Sequence, residues 1–179
     1  MMKKVTLLVI ALLFVSGSVS GQALSLYADA DRTTWELSGL PQYSLVSMYL
    51  FVAPTEDGVK CVELNVSALC GAYMPFVPVY NPDVRDPIMG TIPGDLACCL
   101  QSCHLDWVWI CNVTILLQAT PLNFWVQPFQ GPPVQPFPKI VTCLDDEIEA
   151  YIWRPLIING YCETAVEESS WGAIKSMYE

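Results

Sequence analysis

The sequence predicts an all-β fold, a single β-sandwich of about seven or eight strands followed by a short C-terminal helix. Three observations lead to this prediction. Apolar and polar residues alternate with a period of two over most of the chain. Segments rich in Pro and Gly separate the alternating stretches at short intervals, and no sustained helical pattern occurs before the last residues. Closely spaced strands without helices between them are typical of a sandwich or barrel.

The clearest predicted strand is residues 107–118, where every odd position from Trp107 to Leu117 is apolar and several even positions are polar. This alternation predicts a half-buried strand with Trp107 and Trp109 on the core face. The further predicted strands are residues 25–28, 43–52, 60–67, 95–100, 124–129, 140–144 and 148–158.

The first residues are typical of a secretory signal peptide. Two lysines precede an apolar run at residues 5–15, which is too short to span a bilayer, and small and polar residues then lead to Ala23. We expect cleavage after Ala23, with cleavage after Ser20 or Gly21 as alternatives. The protein is then secreted, and is extracellular, periplasmic or at the cell surface. The predicted organisation is a signal peptide at 1–23, a sandwich domain at 24–165 and a helical tail at 166–179.

Charge and hydropathy narrow the range of partners. The chain carries 18 acidic and 8 basic residues, a formal net charge of −10, which argues against nucleic acid and anionic membranes as partners. A second apolar stretch, residues 107–126, contains Pro121 and several amide side chains. It is therefore a poor membrane-spanning helix, and we expect no integral membrane span after signal cleavage.

The eight cysteines are an even number in a chain expected to be exported, which favours disulfide bonds. Cys98 and Cys99 are adjacent and point to opposite faces of a strand, and Cys98 is a candidate for a buried free thiol. Proximity along the chain favours three pairs: Cys61 with Cys70, Cys103 with Cys111, and Cys143 with Cys162.

The segment 96–111 holds four cysteines and the only histidine, His104, and allows three other interpretations. Haem attachment requires C-x-x-C-H, and the spacing from Cys99 to Cys103 is one residue too long. Zinc binding would use His104 with these and neighbouring cysteines, but the short ligand spacings of zinc sites are missing. A catalytic Cys103–His104 pair is disfavoured because the two are sequence neighbours. We therefore predict no metal and no cofactor.

Other candidate sites are less specific. No G-x-S-x-G motif accompanies His104, and no pair of carboxylates stands out, so we predict that the protein is not an enzyme. Asp29 with Asp31, and the acidic run at 145–149, could bind calcium but do not fit an EF-hand loop. The six tryptophans and eight tyrosines could form a platform that stacks against sugars. Trp107 and Trp109 are assigned to the core, whereas the pattern leaves Trp35, Trp125 and Trp153 open as candidates.

The last residues, 166–179, show a helical spacing. Trp171, Ile174 and Tyr178 fall at i, i+3 and i+7, on one face of a helix. So short a helix is not stable alone in water. It either docks on the sandwich or, with Lys175, forms a recognition or sorting element.

Three segments, "LSLYADADRTTW", "GVKCVELNV" and "ESSWGAIKSMY", resemble a group of secreted bacterial proteins that have no assigned activity. In that group a single Ig-like sandwich ends in the motif [ST]-x-W-G-x-I-K-x-x-Y. The resemblance implies an exported Ig-like β-protein. Leu64 stands where the group has Phe. The matching residues are Tyr27, Asp29, Gly58, Glu63, Leu64, Cys143, Cys162, Trp171, Gly172, Ile174, Lys175 and Tyr178.

These features predict a non-catalytic structural or binding module of the cell envelope or extracellular space, with an envelope protein or a polysaccharide as its partner. One alternative is a secreted carbohydrate-active protein, either a carboxylate glycosidase or a sugar-binding sandwich. A third is a Cys/His protein that binds metal or haem.

Overall fold

The computed structural model describes residues 22–131 and 136–162. Most of the predicted signal peptide therefore lies outside the described residues. So does the predicted C-terminal helix with its candidate recognition residues Trp171, Ile174, Lys175 and Tyr178.

The described part of the chain is all-β, as predicted, and none of it is helical. It contains no helix that could cross a membrane. Strands outnumber the seven or eight expected, because strands of two to four residues are too short to show an alternating pattern and the seven-residue strand Val84–Gly90 contains Pro87 and no alternation. The twelve strands are β1 (Ala23–Tyr27), β2 (Glu36–Leu37), β3 (Leu45–Ala53), β4 (Val59–Pro75), β5 (Val79–Tyr80), β6 (Val84–Gly90), β7 (Gly94–His104), β8 (Val108–Gln127), β9 (Lys139–Val141), β10 (Glu147–Glu149), β11 (Tyr151–Arg154) and β12 (Leu156–Ile158).

Hydrogen bonds join the strands into one mixed sheet, whose main path runs β10-β9-β4-β8-β3-β1-β11. Strand β7 pairs with the other edge of β4, and β6 pairs with β7. Only β1 with β11 and β12 with β2 pair in parallel among the described strands.

The long strands β4 and β8 allow this sheet to fold over itself. The first half of β8 pairs with β3, whereas its last residues pair with β4 and β12. Buried side chains from both halves, such as Ile115 and Phe124, belong to one hydrophobic core. The predicted strands 107–118 and 124–129 are thus one strand. Pro121 lies inside it, where the pairing with β4 shifts register, so its missing N–H breaks no regular ladder.

A bulge in β8 reverses the predicted orientation of its first residues. Leu50 pairs with Cys111 and Phe51 pairs with Trp109, so Ile110 is an extra residue in β8. A one-residue insertion sends the preceding side chains to the opposite face. Both Ile110 and Cys111 are buried, while Trp109 is only half-buried. The prediction that Trp107 and Trp109 face the core is therefore wrong.

The folded domain includes residues that the sequence places in the signal peptide. Gln22 is buried, and its side-chain amide donates hydrogen bonds to the Gly58 carbonyl at 3.2 Å and to the Thr55 hydroxyl at 3.3 Å. Ala23 pairs with Ala53 on one side and with Tyr151 on the other. The domain thus begins at or before Gln22.

If the predicted signal peptide is cleaved, we expect the mature chain to begin at Gly21 or Gln22 rather than at Leu24. Cleavage after Ala23 would remove the first residue of β1 and would leave the Gly58 carbonyl without its side-chain donor. The intact mass of the secreted chain distinguishes these termini. A mature chain that begins at Leu24 and unfolds at the same temperature as one that begins at Gln22 would contradict this expectation.

The disulfide pairs differ from those favoured by proximity. The structure pairs Cys61 with Cys99, Cys70 with Cys162 and Cys103 with Cys143. Each pair joins segments that are at least 38 residues apart in the sequence. Cys61 and Cys99 are direct partners across the β4–β7 ladder, so strand pairing and not sequence distance selects the bond. Cys98 and Cys111 are free and buried; Cys111 is therefore not in the predicted bond with Cys103.

Gly58 lies against the Cys103–Cys143 disulfide in a left-handed conformation, with φ +71°. A Cβ atom there would stand 2.5 Å from the Cys143 Sγ and 2.9 Å from the His104 carbonyl oxygen. The turn that precedes β4 therefore requires Gly for its backbone conformation and for space.

The variants Gly58→Ala and Gly39→Ala separate these two requirements. Gly39 has nearly the same φ, +70°, but a Cβ added to it would have no neighbouring atom within 4 Å. We expect Gly39→Ala to lower the free energy of unfolding by about 1 kcal/mol, the cost of the left-handed conformation. Gly58→Ala should cost at least about 2–3 kcal/mol because the disulfide must also move. Urea denaturation measures both costs, and equal values would show that contact with the disulfide is unimportant.

Candidate binding surface

Aromatic and arginine side chains meet on the outside of the sandwich, where the loop after β1, the start of β8 and strand β11 come together. We call the set Arg32, Trp35, Trp107, Trp153 and Arg154 the aromatic–arginine surface. It borders a cleft of about 380 Å³. The residues that line this cleft are Tyr27, Asp31, Arg32, Thr33, Trp35, Trp107, Trp153 and Arg154.

Hydrogen bonds within the loop hold Arg32 in place. The Asp29 carboxylate accepts hydrogen bonds from the Thr33 N–H at 2.9 Å and from the Thr33 hydroxyl at 3.1 Å. The Ala28 N–H donates to the Thr34 carbonyl at 2.7 Å. Burial acts to raise the pKa of Asp29, but hydrogen bonds from Thr34 and Thr33 outweigh it and lower the pKa. The Asp29 carboxylate thus accepts hydrogen bonds that stabilise the loop, and its oxygens are not free as calcium ligands.

The five side chains form a continuous stack. The Arg32 Cζ lies 4.9 Å from the ring centroid of Trp107, and the Trp107 and Trp153 centroids are 5.6 Å apart at 37°. The Arg154 Cζ lies 5.0 Å from the Trp153 centroid and 3.7 Å from that of Trp35. These are cation–π and ring–ring distances. Each guanidinium is therefore held against an indole ring.

The arginines of this surface lack the ion pairs that the lysines have. Within residues 22–131 and 136–162, Lys60 pairs with Asp145 and Lys139 pairs with Glu147, but Arg32 and Arg154 form no ion pair. The indole rings are also accessible: Trp153 is 50% exposed and Trp35 is 36% exposed. The surface thus offers positive charge and aromatic faces to solvent on an otherwise acidic protein.

The sequence identified part of this surface. Of the three candidate stacking residues, Trp35 and Trp153 lie on it, whereas Trp125 is half-buried in β8 opposite Ser67 of β4. Trp107 was missed because the β8 bulge reverses its orientation. No sequence signal marked the two arginines, because their neighbours come from distant segments.

Asp83, Ser102 and His104 also meet, but not as a catalytic triad. The Ser102 hydroxyl donates to Asp83 Oδ2 at 2.6 Å, and His104 Nε2 lies 2.6 Å from the same oxygen. His104 Nε2 is 3.4 Å from the Ser102 Oγ. In a triad the two ring nitrogens of His face the carboxylate and the hydroxyl separately. Here one nitrogen faces both, so the cluster ties the end of β7 to the turn before β6.

Asp83 should make stability depend on pH. Hydrogen bonds from Ser102 and His104 lower its pKa below the ordinary value of 3.8. A depressed folded-state pKa adds stability above the ordinary pKa, and this stability is lost as pH falls through the folded-state value. We expect Asp83→Asn to reduce the midpoint of thermal unfolding at pH 7 and to have a smaller effect near pH 3. Asp106→Asn, which alters an exposed acid in the following turn, serves as the control. A pH-independent effect of Asp83→Asn would contradict the expectation.

The cysteines around His104 do not converge on one site. Cys99 and Cys103 are in separate disulfides, and Cys98 and Cys111 are buried free thiols. Burial raises the pKa of Cys98 to about 12 and also raises that of Cys111. Neither thiol is a ready nucleophile or ligand. Among the described residues there is no group of three or more His, Cys, Asp or Glu placed to hold a metal ion.

The remaining acidic candidates belong to the other side of the sandwich. Asp145 forms an ion pair with Lys60 at 2.5 Å, and Glu147 forms one with Lys139. Two acidic residues of the run 145–149 are therefore already paired with lysines. A cavity of about 410 Å³ lies over the outer face of β4, β6, β7, β9 and β10. Its lining mixes Arg85 and Lys139 with acidic side chains and the Cys61–Cys99 disulfide.

No family model and no curated protein matches the chain. Solved structures do match. The seventh ScaB type I cohesin from Pseudobacteroides cellulosolvens is 6% identical, with a TM-score of 0.51 over 83% of this chain and 97% of that chain. A chain from a type I cohesin–dockerin complex of Clostridium thermocellum is 5% identical, with a TM-score of 0.51 over 77% of this chain and 99% of that chain. At these identities the likeness concerns the fold. The protein is a β-sandwich of cohesin-like fold, which confirms the predicted sandwich.

Proposed function

We propose that the protein is an exported, non-catalytic binding module and that the aromatic–arginine surface is its recognition site. The observation that carries the proposal is the stack itself. Three Trp rings and two guanidiniums from separate segments meet at the surface, where half of Trp153 is open to solvent. Exposed aromatic clusters are unfavourable in water and mark interaction sites.

The stack is also suited to binding because it is ordered before a ligand arrives. Asp29 fixes the loop that carries Arg32, and the contacts of Trp153 with Trp107 and Arg154 restrict its side chain. Ordering long side chains on binding costs free energy. Because the Arg and Trp side chains of this surface are already ordered, binding a ligand should cost less conformational entropy.

Two further observations support a non-catalytic role outside the cytoplasm. The only histidine of the chain has its Nε2 2.6 Å from a carboxylate oxygen of Asp83, in an arrangement unlike a triad. Three disulfides are typical of proteins in oxidising compartments. The cohesin-like fold agrees with a binding role, since one of the similar structures is a cohesin–dockerin complex.

Removing one exposed ring tests the proposal. We expect Trp153→Ala to weaken adsorption of the purified protein to the insoluble envelope and polysaccharide fractions of its host by at least about tenfold, or ~1.4 kcal/mol. The matched control is Tyr161→Ala, which removes an aromatic ring that is 64% exposed elsewhere. Depletion assays at fixed salt give both affinities. Adsorption by Trp153→Ala equal to that of the unmodified protein, with unchanged thermal stability, would refute the site.

A second candidate is docking of a partner protein on an apolar row at the other end of the β3–β8 pairing. Leu116 of β8 pairs with Leu45 of β3 and with Met74 of β4, so the three side chains lie side by side. Leu45 is 63% exposed and Met74 is 44% exposed. In this case Leu45→Glu would abolish adsorption to envelope proteins and Trp153→Ala would leave it unchanged.

A further inference from the structure

The aromatic–arginine surface also indicates the chemistry of its ligand. Resting on the function proposed above, we propose that the ligand is a sugar chain that carries uronate carboxylates at intervals. In this arrangement the indole rings of Trp153 and Trp35 stack against pyranose rings, and Arg32 and Arg154 bind the carboxylates.

The two guanidiniums are available for a carboxylate. A guanidinium that contacts an indole ring through its face keeps the N–H groups in its plane free for other partners. The Cζ atoms of Arg32 and Arg154 lie 4.9 Å and 3.7 Å from the ring centroids of Trp107 and Trp35. Neither forms an ion pair with a described residue. The N–H edges are thus available for two parallel hydrogen bonds to one carboxylate, which is the geometry that Arg favours.

The indole rings account for the sugar part of the ligand. The C–H face of a pyranose is flat and apolar, and its hydroxyl groups lie at its edge. The rings of Trp153 and Trp35 are flat and partly exposed, and both lie near the Arg154 guanidinium. Asp31 also lines the cleft and is an acceptor for sugar hydroxyls. On the protein, the Arg154 guanidinium lies near the two indole rings. This arrangement fits a polysaccharide in which sugar rings that can stack alternate with carboxylates.

The net negative charge of the protein favours a polysaccharide ligand that carries few carboxylates. The net charge is −10, and acidic Asp31 borders the cleft. A polyanion with a charge on every unit would be repelled by this field, as nucleic acid is. A carboxylate on only some units meets the two arginines locally and adds little long-range repulsion. The observations therefore favour a polysaccharide with occasional uronates over polyuronate or nucleic acid.

Matched polysaccharides test the carboxylate directly. The probes are gellan and glucuronoxylan, which carry uronates at intervals, and the same polymers after chemical reduction of their carboxyl groups to alcohols. Polygalacturonate, with a carboxylate on every unit, is the densely charged comparison. We expect the unmodified protein to bind at least one acid form at least tenfold more tightly than its reduced form. It should also bind that acid form more tightly than polygalacturonate.

Variants assign the effect to the two arginines. Arg154→Gln and Arg32→Gln should each lower affinity for the acid form severalfold, and by a larger factor than they lower affinity for the reduced form. Arg154→Lys should bind the acid form little better than Arg154→Gln does, because an ammonium group lacks the planar, forked N–H geometry of a guanidinium. Arg85→Gln, which changes an exposed arginine in the cavity on the other side, is the matched control and should bind as the unmodified protein does. The comparison of acid with reduced polymers uses the unmodified protein and does not depend on the folding of any variant.

The outcomes separate the two proposals. Equal binding of acid and reduced polymers that still requires Trp153 would overturn the uronate but leave the binding surface intact. Preference for polygalacturonate, or no binding to any acid form, would also overturn the uronate proposal. Binding that depends on neither Trp153 nor the arginines would overturn both. Loss of binding in Arg85→Gln would indicate that the polysaccharide binds in the cavity lined by Arg85 and would contradict both proposals.

Discussion

The pairing of β4 with β8 is the constraint on which the rest of the structure depends. These are the two longest strands of the described chain, and each has different partners along its length. Through them the part of the sheet that contains β3 and the part that contains β7 share one hydrophobic core. The Cys70–Cys162 disulfide joins the irregular part of this pairing to the chain after β12. The other described strands are positioned by their register against β4, β8 or a neighbour of these two, except β11, which pairs with β1.

The bulge at Ile110 links this framework to the candidate surface. One extra residue in β8 keeps Ile110 and Cys111 both in the core and sends Trp107 outward. The outward ring then meets Trp153 of β11, which reaches the same edge because β11 pairs with β1. A regular strand would bury Trp107 and leave Trp153 without its neighbour.

Two lysines and two arginines differ in how their charges are compensated. Lys60 and Lys139 pair with acids of the segment 145–149 and so contribute to the local structure. Exposed pairs of this kind add little stability. Arg32 and Arg154 instead stack on indole rings, which leaves their charge uncompensated by any described residue. In an acidic protein, uncompensated arginines held at a cleft indicate recognition of an anion more readily than a structural role.

The sequence by itself determined the all-β class and most strand positions, and it left Trp35 and Trp153 open as candidates for an exposed surface. These follow from alternation and composition, which report the local backbone and the exposure of single residues. Only the tertiary structure decided the disulfide partners, such as Cys61 with Cys99, and the outward orientation of Trp107. Both depend on which residue lies opposite in a neighbouring strand, and the period of one strand contains no information about its partner or its bulges.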